Sequence, residues 1–229
     1  MIESIYQSMW DNFTQAIHHN RIELDPYLCD LDKDDRRGIT ALAYIHQGCS
    51  DVAQKIAQFQ ARVREIEPRQ YYHPINELHA TILSIISCYS GFQLIDINQQ
   101  EYCEIFRTVL KDIEPITIHY RGVTASPNCI VIQGLPQGDG LNQLRDRLRD
   151  AFNQSGLQCS LDARYKLVTA HSSAVRFYQP LQEQQKLLEL CHDYRNYDFG
   201  YVELRHFDLV FNDWYQRLAV TQCLEKVTR

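Results

Sequence analysis

Ile5, Met9, Trp10, Phe13, Ala16 and Ile17 fall at i, i+4, i+5, i+8, i+11 and i+12, so the chain opens on one apolar stripe at helical spacing. The stripe predicts an amphipathic helix docked on a larger body. A charged stretch over 30–37 separates it from 39–45, a β-branched and aromatic run ended by His46-Gln47-Gly48 that reads as a first strand. Val52, Ile56, Phe59, Val63 and Ile66 then recur at spacings of four, three, four and three, after Ser50 or Asp51 as N-cap and before Pro68, which predicts a helix. Residues 78–86 form an apolar strand, and Tyr102, Phe106, Val109 and Ile113 mark a further helix stopped by Pro115. Two strands, 116–120 and 129–133, flank the turn residues Ser126-Pro127-Asn128.

The order then repeats. Leu141, Leu144, Leu148, Ala151 and Phe152 predict a helix, 165–178 contains a strand, and 181–190 is another helix. Residues 202–211 and 218–227 read as a closing hairpin around Asn212-Asp213. Alternating strands and helices with hairpins at the end of each half predict an α+β fold of two pseudo-symmetric lobes. Each lobe has an antiparallel or mixed sheet with flanking helices; a doubly wound parallel sheet would not need the hairpins. No linker composition divides the halves. The expectation is one bilobal domain over 1–229 with a shared core and a helical N-terminal extension over about 1–35.

Composition narrows the class. With 229 residues and 45% hydrophobic content the chain can bury a sizeable core, which excludes a disordered or fibrous protein. Its 23 basic against 29 acidic residues give a net charge of −6, which argues against clamping an extended duplex by counterion release and leaves room for a small phosphate ester in a locally basic pocket. Glu3 stands where a signal peptide wants cations, and no apolar run approaches the roughly 20 residues of a bilayer span, so the reading is cytoplasmic with no membrane partner. Eight cysteines spread without a C-x-x-C pair read as buried reduced thiols. Nine histidines without ligand spacing predict no metal site. The glycine-rich stretch 134–140 lacks the terminal Lys-Ser/Thr of a phosphate loop and reads as a turn before a helix.

The informative chemistry is a repeated tripeptide. His79-Ala80-Thr81 lies in one half and His171-Ser172-Ser173 in the other, each within an apolar strand. Residues i and i+2 of a strand share a face, so each segment presents an imidazole beside a hydroxyl about 6–7 Å along. One such segment alone carries little weight. Two at comparable places in two lobes bring both imidazoles and both hydroxyls to one cleft, with the motif strands expected at the centre of each lobe. That set suits phosphodiester cleavage: one neutral His takes a proton from the nucleophile, a protonated His gives one to the leaving oxygen, and the hydroxyls bind phosphoryl oxygens.

These segments resemble the 2H phosphoesterase superfamily, defined by two H-x-[ST]-x motifs in a bilobal α+β fold. The lead-in Tyr71-Tyr72-His73-Pro74-Ile75-Asn76-Glu77-Leu78 is similar to that of the bacterial 2′-5′ RNA ligase and cyclic phosphodiesterase branch, and the resemblance spans roughly 39–211. It implies hydrolysis of a 2′,3′-cyclic phosphate or other cyclic or 2′-linked phosphodiester on a small nucleotide or RNA end. His79 and His171 would be the acid/base pair and Thr81 and Ser173 the phosphate binders, with no cofactor. Ser173 departs mildly from the commoner Thr. Arg176 is similar to the family's second motif, yet its odd offset from His171 points it to the opposite face of a regular strand unless a bulge or strand end redirects it. Tyr72 and Tyr165 are the preferred aromatic contacts, ahead of Tyr71, Phe177, Tyr178 and Trp214. Arg36, Arg37, Arg121, Arg164, Lys166 and Arg205 read as solvated cations, and a monomer is expected. The competing class is a module that holds a nucleotide or phosphometabolite without turnover. Presence of both histidines favours the enzyme, since Arg or Lys would serve binding as well.

Overall fold

The computed structural model describes residues 2–163 and 166–229. Its elements run, in chain order, α1 (Ile2–His18), β1 (Arg36–Tyr44), α2 (Ile45–Gly48), α3 (Ser50–Ile66), β2 (Tyr71–Tyr72), β3 (His79–Ser90) and α4 (Gln99–Leu110). There follow β4 (Ile116–Ser126), β5 (Cys129–Pro136), α5 (Gly140–Ser155), β6 (Ser172–Arg176), α6 (Gln184–Asp193), β7 (Asp198–Leu204), β8 (His206–Asn212) and β9 (Gln222–Thr228). The strands form two antiparallel sheets, one ordered β3-β1-β8-β9 and the other β2-β6-β5-β4-β7.

The α+β class and the paired sheets agree with the pattern of the sequence. The partition does not follow its halves. The four-stranded sheet takes β1 and β3 from the first half and β8 and β9 from the end, while β2 of the first half joins β6 of the second. Two local corrections follow. Residues 202–211 are not one strand: the chain leaves the five-stranded sheet after Leu204 and enters the four-stranded one at His206, breaking at Arg205. An uninterrupted apolar alternation conceals this, because both strands bury one face in the same core. Motif strand β3 is an edge strand, whereas β6 has neighbours on both sides.

The helices bury the stripes that predict them. Phe13 and Ile17 of α1, Val52, Ile56 and Phe59 of α3, and Leu141, Leu144, Leu148 and Phe152 of α5 join the inner residues Ile39, Ala41 and Ala43 of β1 in one apolar cluster spanning both sheets. Burial of this kind is the main favourable term in folding. No disulfide joins the eight cysteines; Cys88, Cys129 and Cys191 are buried, but Cys29 and Cys223 are exposed.

Bulges set which residues reach the space between the sheets. Against β1, strand β3 carries one extra residue at Ile82, another at Ile85 and a third between Ile86 and Tyr89. Each insertion resets the alternation. Thr81, Ser84 and Ser87 are therefore all half-buried on one face, while the pairs Ile82-Leu83 and Ile85-Ile86 are buried on the other.

Gly134 in β5 answers a close approach. A Cβ there would stand 2.0 Å from the Ala170 carbonyl oxygen, in the segment leading into His171. Backbone cannot yield as a side-chain tip can. Gly134→Ala is expected to cost on the order of 3 kcal/mol in a denaturant unfolding experiment; an unchanged midpoint would mean that residues 168–171 do not pack here as described.

Candidate active site

A cavity of about 150 Å³ opens between the sheets, lined by His79 and Thr81 of β3, Ser173 and Arg176 of β6, and His171 one residue before β6. Thr40, His73, Ser84, Cys88, Trp214, Tyr215 and Gln216 complete its wall. A second cavity of about 120 Å³ shares Thr81, Ser84, His171 and Trp214 with it and continues past Ser87, Leu167 and Thr169, so the two form one cleft. Both His-x-hydroxyl segments thus meet at one place.

Arg176 reaches the cleft through a bulge. Ser173 pairs with Val131 and Val175 with Ile130, which leaves Ala174 as the extra residue of β6. Ala174 and Val175 are both buried, and Arg176 returns to the side of Ser173. Its guanidinium lies over the Tyr215 ring, 5.6 Å from the centroid, with its Nε unpartnered.

Each imidazole is oriented by a neighbour two residues before it. His79 Nδ1 lies 2.7 Å from the Glu77 carbonyl oxygen. A carbonyl only accepts, so Nδ1 carries the proton and the neutral ring keeps a free lone pair on Nε2. His171 Nδ1 lies 2.8 Å from the Thr169 hydroxyl. Burial pulls the pKa of His79 below the ordinary histidine value, against the opposing pull of the Glu77 carbonyl and with help from Arg176. His171 falls further, to about 4, through burial and then the charges of Arg176, His79 and Arg145. A third imidazole, His73, is 3% exposed with neither ring nitrogen partnered, set edge-on to Tyr71 at 5.1 Å. Burial, Arg176 and His79 hold it well below the ordinary value.

Other expectations are revised. Tyr72 turns from the cleft: its hydroxyl donates to the Glu67 carbonyl and its ring lies beneath Arg64, 4.3 Å from the centroid. In extended backbone its neighbours Tyr71 and His73 share the opposite side, and it is His73 that lines the cavity. Tyr165 and Arg164 lie outside the described residues. Trp214 takes the aromatic place in both cavities. Arg36 is not a solvated cation: it pairs with both oxygens of buried Asp34 and covers Tyr27 at 3.6 Å. Sequence reasoning missed Thr40, Ser84, Cys88, Tyr215 and Gln216. Only Ser84 left a signal, the three-residue recurrence of hydroxyls in Thr81-Ile82-Leu83-Ser84-Ile85-Ile86-Ser87. Among the described residues no three of His, Cys, Asp and Glu are grouped to hold a metal ion, and no helix is long and apolar enough to cross a membrane.

No protein-family model matches the sequence, and no curated protein matches it. Solved structures do. TT0787 of Thermus thermophilus is similar at a TM-score of 0.60 and 15% identity, over 83% of this chain and 97% of that one. A phosphoesterase is similar at 0.54 and 13%, over 85% and 97%. E. coli LigT in complex with 3′-AMP is similar at 0.54 and 13%, over 84% and 98%. LigT has also been solved with ATP, NADP+ and phosphate. The chain therefore has the bilobal α+β fold that LigT and this phosphoesterase share.

Proposed function

We propose that this protein is a phosphodiesterase that hydrolyses a 2′,3′-cyclic phosphate or other cyclic or 2′-linked nucleotide phosphodiester, with His79 and His171 as its acid and base. The observation that carries the reading is the lining of one cavity by both imidazoles, both motif hydroxyls and Arg176. The fold of a phosphoesterase and of LigT supports it, and the complexes of LigT with 3′-AMP and phosphate support the nucleotide class. The recess beside Ser84, Ser87 and Trp214 suits the sugar or base of such a ligand.

The surroundings favour one division of the two roles. The Glu77 carbonyl stabilises the imidazolium of His79, while His171 has a hydroxyl for partner and faces three positive or protonatable groups. The shared proton belongs on His79. In the reaction His171 takes a proton from water as the water oxygen bonds to phosphorus. His79 gives its proton to the departing sugar oxygen as the old P–O bond breaks. Thr81 and Ser173 donate to the phosphoryl oxygens, and Arg176 offsets their charge. Exchange with solvent returns the protons for the next turnover.

This reading predicts the pH profile. In the empty cleft both imidazoles titrate below the ordinary value, so the bell in kcat/KM should have its acidic limb near 4, from the base His171, and its basic limb below 6.5, from the acid His79. These limbs are macroscopic values of a coupled pair. A bound phosphodiester anion favours the charged imidazolium, so the kcat profile should lie at higher pH than that of kcat/KM. A kcat/KM optimum above pH 7, or a flat profile from about pH 5 to 9, would contradict the two-histidine scheme. The activity itself is tested on cyclic mononucleotides and 2′-5′ and 3′-5′ dinucleotides with product mapping. Hydrolysis confined to 3′-5′ linkages would remove the proposed substrate class.

A further inference from the structure

The two motif segments are not held alike. His79 and Thr81 sit in β3 and pair with Tyr44 and Leu42, whereas His171 precedes β6, whose ladder with β5 begins at Ser172. Something outside the ladder must fix the His171 backbone. β3 is also an edge strand, so carbonyls on its outer side have no strand partner.

One side chain meets both needs. Arg145 lies on the apolar stripe of α5 between Leu144 and Leu148 and is 1% exposed. Its Nε donates to the Ile82 carbonyl at 2.8 Å, and its Nη2 donates to the carbonyls of Thr81 at 2.9 Å and Thr169 at 2.7 Å. No carboxylate pairs with it in those bonds. Burial lowers its pKa to about 10, so it remains a cation at neutral pH. Thr169 in turn holds His171 Nδ1 through its hydroxyl. A planar fork that reaches β3 and the segment before β6 at once has a geometry lysine's single ammonium does not reproduce.

We infer that Arg145 is a positioning residue of the cleft: its guanidinium ties the first motif at Thr81 and Ile82 to Thr169, and through the Thr169 hydroxyl it fixes the His171 ring. The tie runs behind the reacting groups, and Arg145 does not line the cavity that holds both histidines. Three charge-assisted bonds to carbonyls offset part of the cost of burying the guanidinium, whose Nη1 has no partner.

Two variants, Arg145→Met and Arg145→Lys, test this with two readouts. The first is the ¹⁵N shifts of the His171 ring in the apo protein, which report its tautomer and titration; this arm is independent of turnover. The second is the split of kcat from KM on a cleaved phosphodiester, and it rests on the phosphodiesterase reading. In Arg145→Met the Nδ1 shift of His171 should depart from its wild-type value and its midpoint should rise, since one of the cations near it is gone while Arg176 and His79 remain. Its kcat should fall about 10–100-fold with KM within about threefold, the pattern of misplaced reacting groups. Arg145→Lys keeps the charge, so the midpoint should stay low while the Nδ1 shift still departs from wild type and kcat still falls. Wild-type ring shifts together with wild-type kcat in Arg145→Met would overturn the inference. Should that variant not fold, Arg145→Lys decides alone: a wild-type Nδ1 shift overturns the tie, and a departure from it supports the tie. If the wild-type protein cleaves no substrate, the functional reading fails and the ring shifts still decide on Arg145.

Discussion

His79→Ala and His171→Ala should each lower kcat by roughly 10²–10⁴, the range for loss of a general acid or base, and should leave the fold in place. Both rings border the cleft and belong to no part of the apolar cluster that unites the sheets. Thermal midpoints close to wild type, measured beside the kinetics, establish that the loss is chemical. The two variants should also differ in pH dependence. Without His171, the limb near 4 disappears; without His79, the limb below 6.5 does. Turnover within a few-fold of wild type in either variant would remove that histidine from the mechanism.

Arg176→Met should lower kcat/KM by about 10–100-fold, from loss of a charge-assisted bond of about 1.5–3 kcal/mol to a phosphoryl oxygen. The bulge at Ala174 supplies the reason this residue counts at all, because without it Arg176 would face away from Ser173. The variant should also raise the midpoints of His79 and His171, since Arg176 depresses both. NMR titration of the apo protein reads this directly. Loss of kcat/KM with unmoved imidazole titrations would place Arg176 further from the pair than the cavity lining implies.

Much of the site was legible because it depends on period-two geometry and a repeated tripeptide. His79, Thr81, His171 and Ser173 follow from those alone and line one cavity. What stayed hidden depends on insertions that shift a strand by one residue. The bulges at Ile82 and Ile85 bring Ser84 and Ser87 to the cleft, and the bulge at Ala174 brings Arg176. Nothing in a strand pattern says where a partner lacks a residue. Tyr72 was misassigned for a related reason, since nearness in sequence to a motif says nothing of the face a side chain takes. The interleaving of the sheets was illegible as well, because β1, β3, β8 and β9 each read as ordinary core strands wherever they pair. Arg145 did leave a trace that composition obscures: a cation at i+4 from Leu141, inside a helical stripe of leucines. A charge in that position is worth questioning before it is counted as surface.

The most direct test of a two-histidine phosphodiesterase is hydrolysis of 2′,3′-cyclic nucleotides and 2′-5′ dinucleotides in excess EDTA, by the wild-type protein and by the His79→Ala, His171→Ala double variant side by side. Acid, base and phosphate donors are all assigned to side chains of this chain, so the wild-type protein should turn over at an undiminished rate under chelation while the double variant is inactive. Equal turnover by the two proteins, or ligand binding by the wild type with no turnover of any phosphodiester, would contradict the account and leave a cleft that only binds.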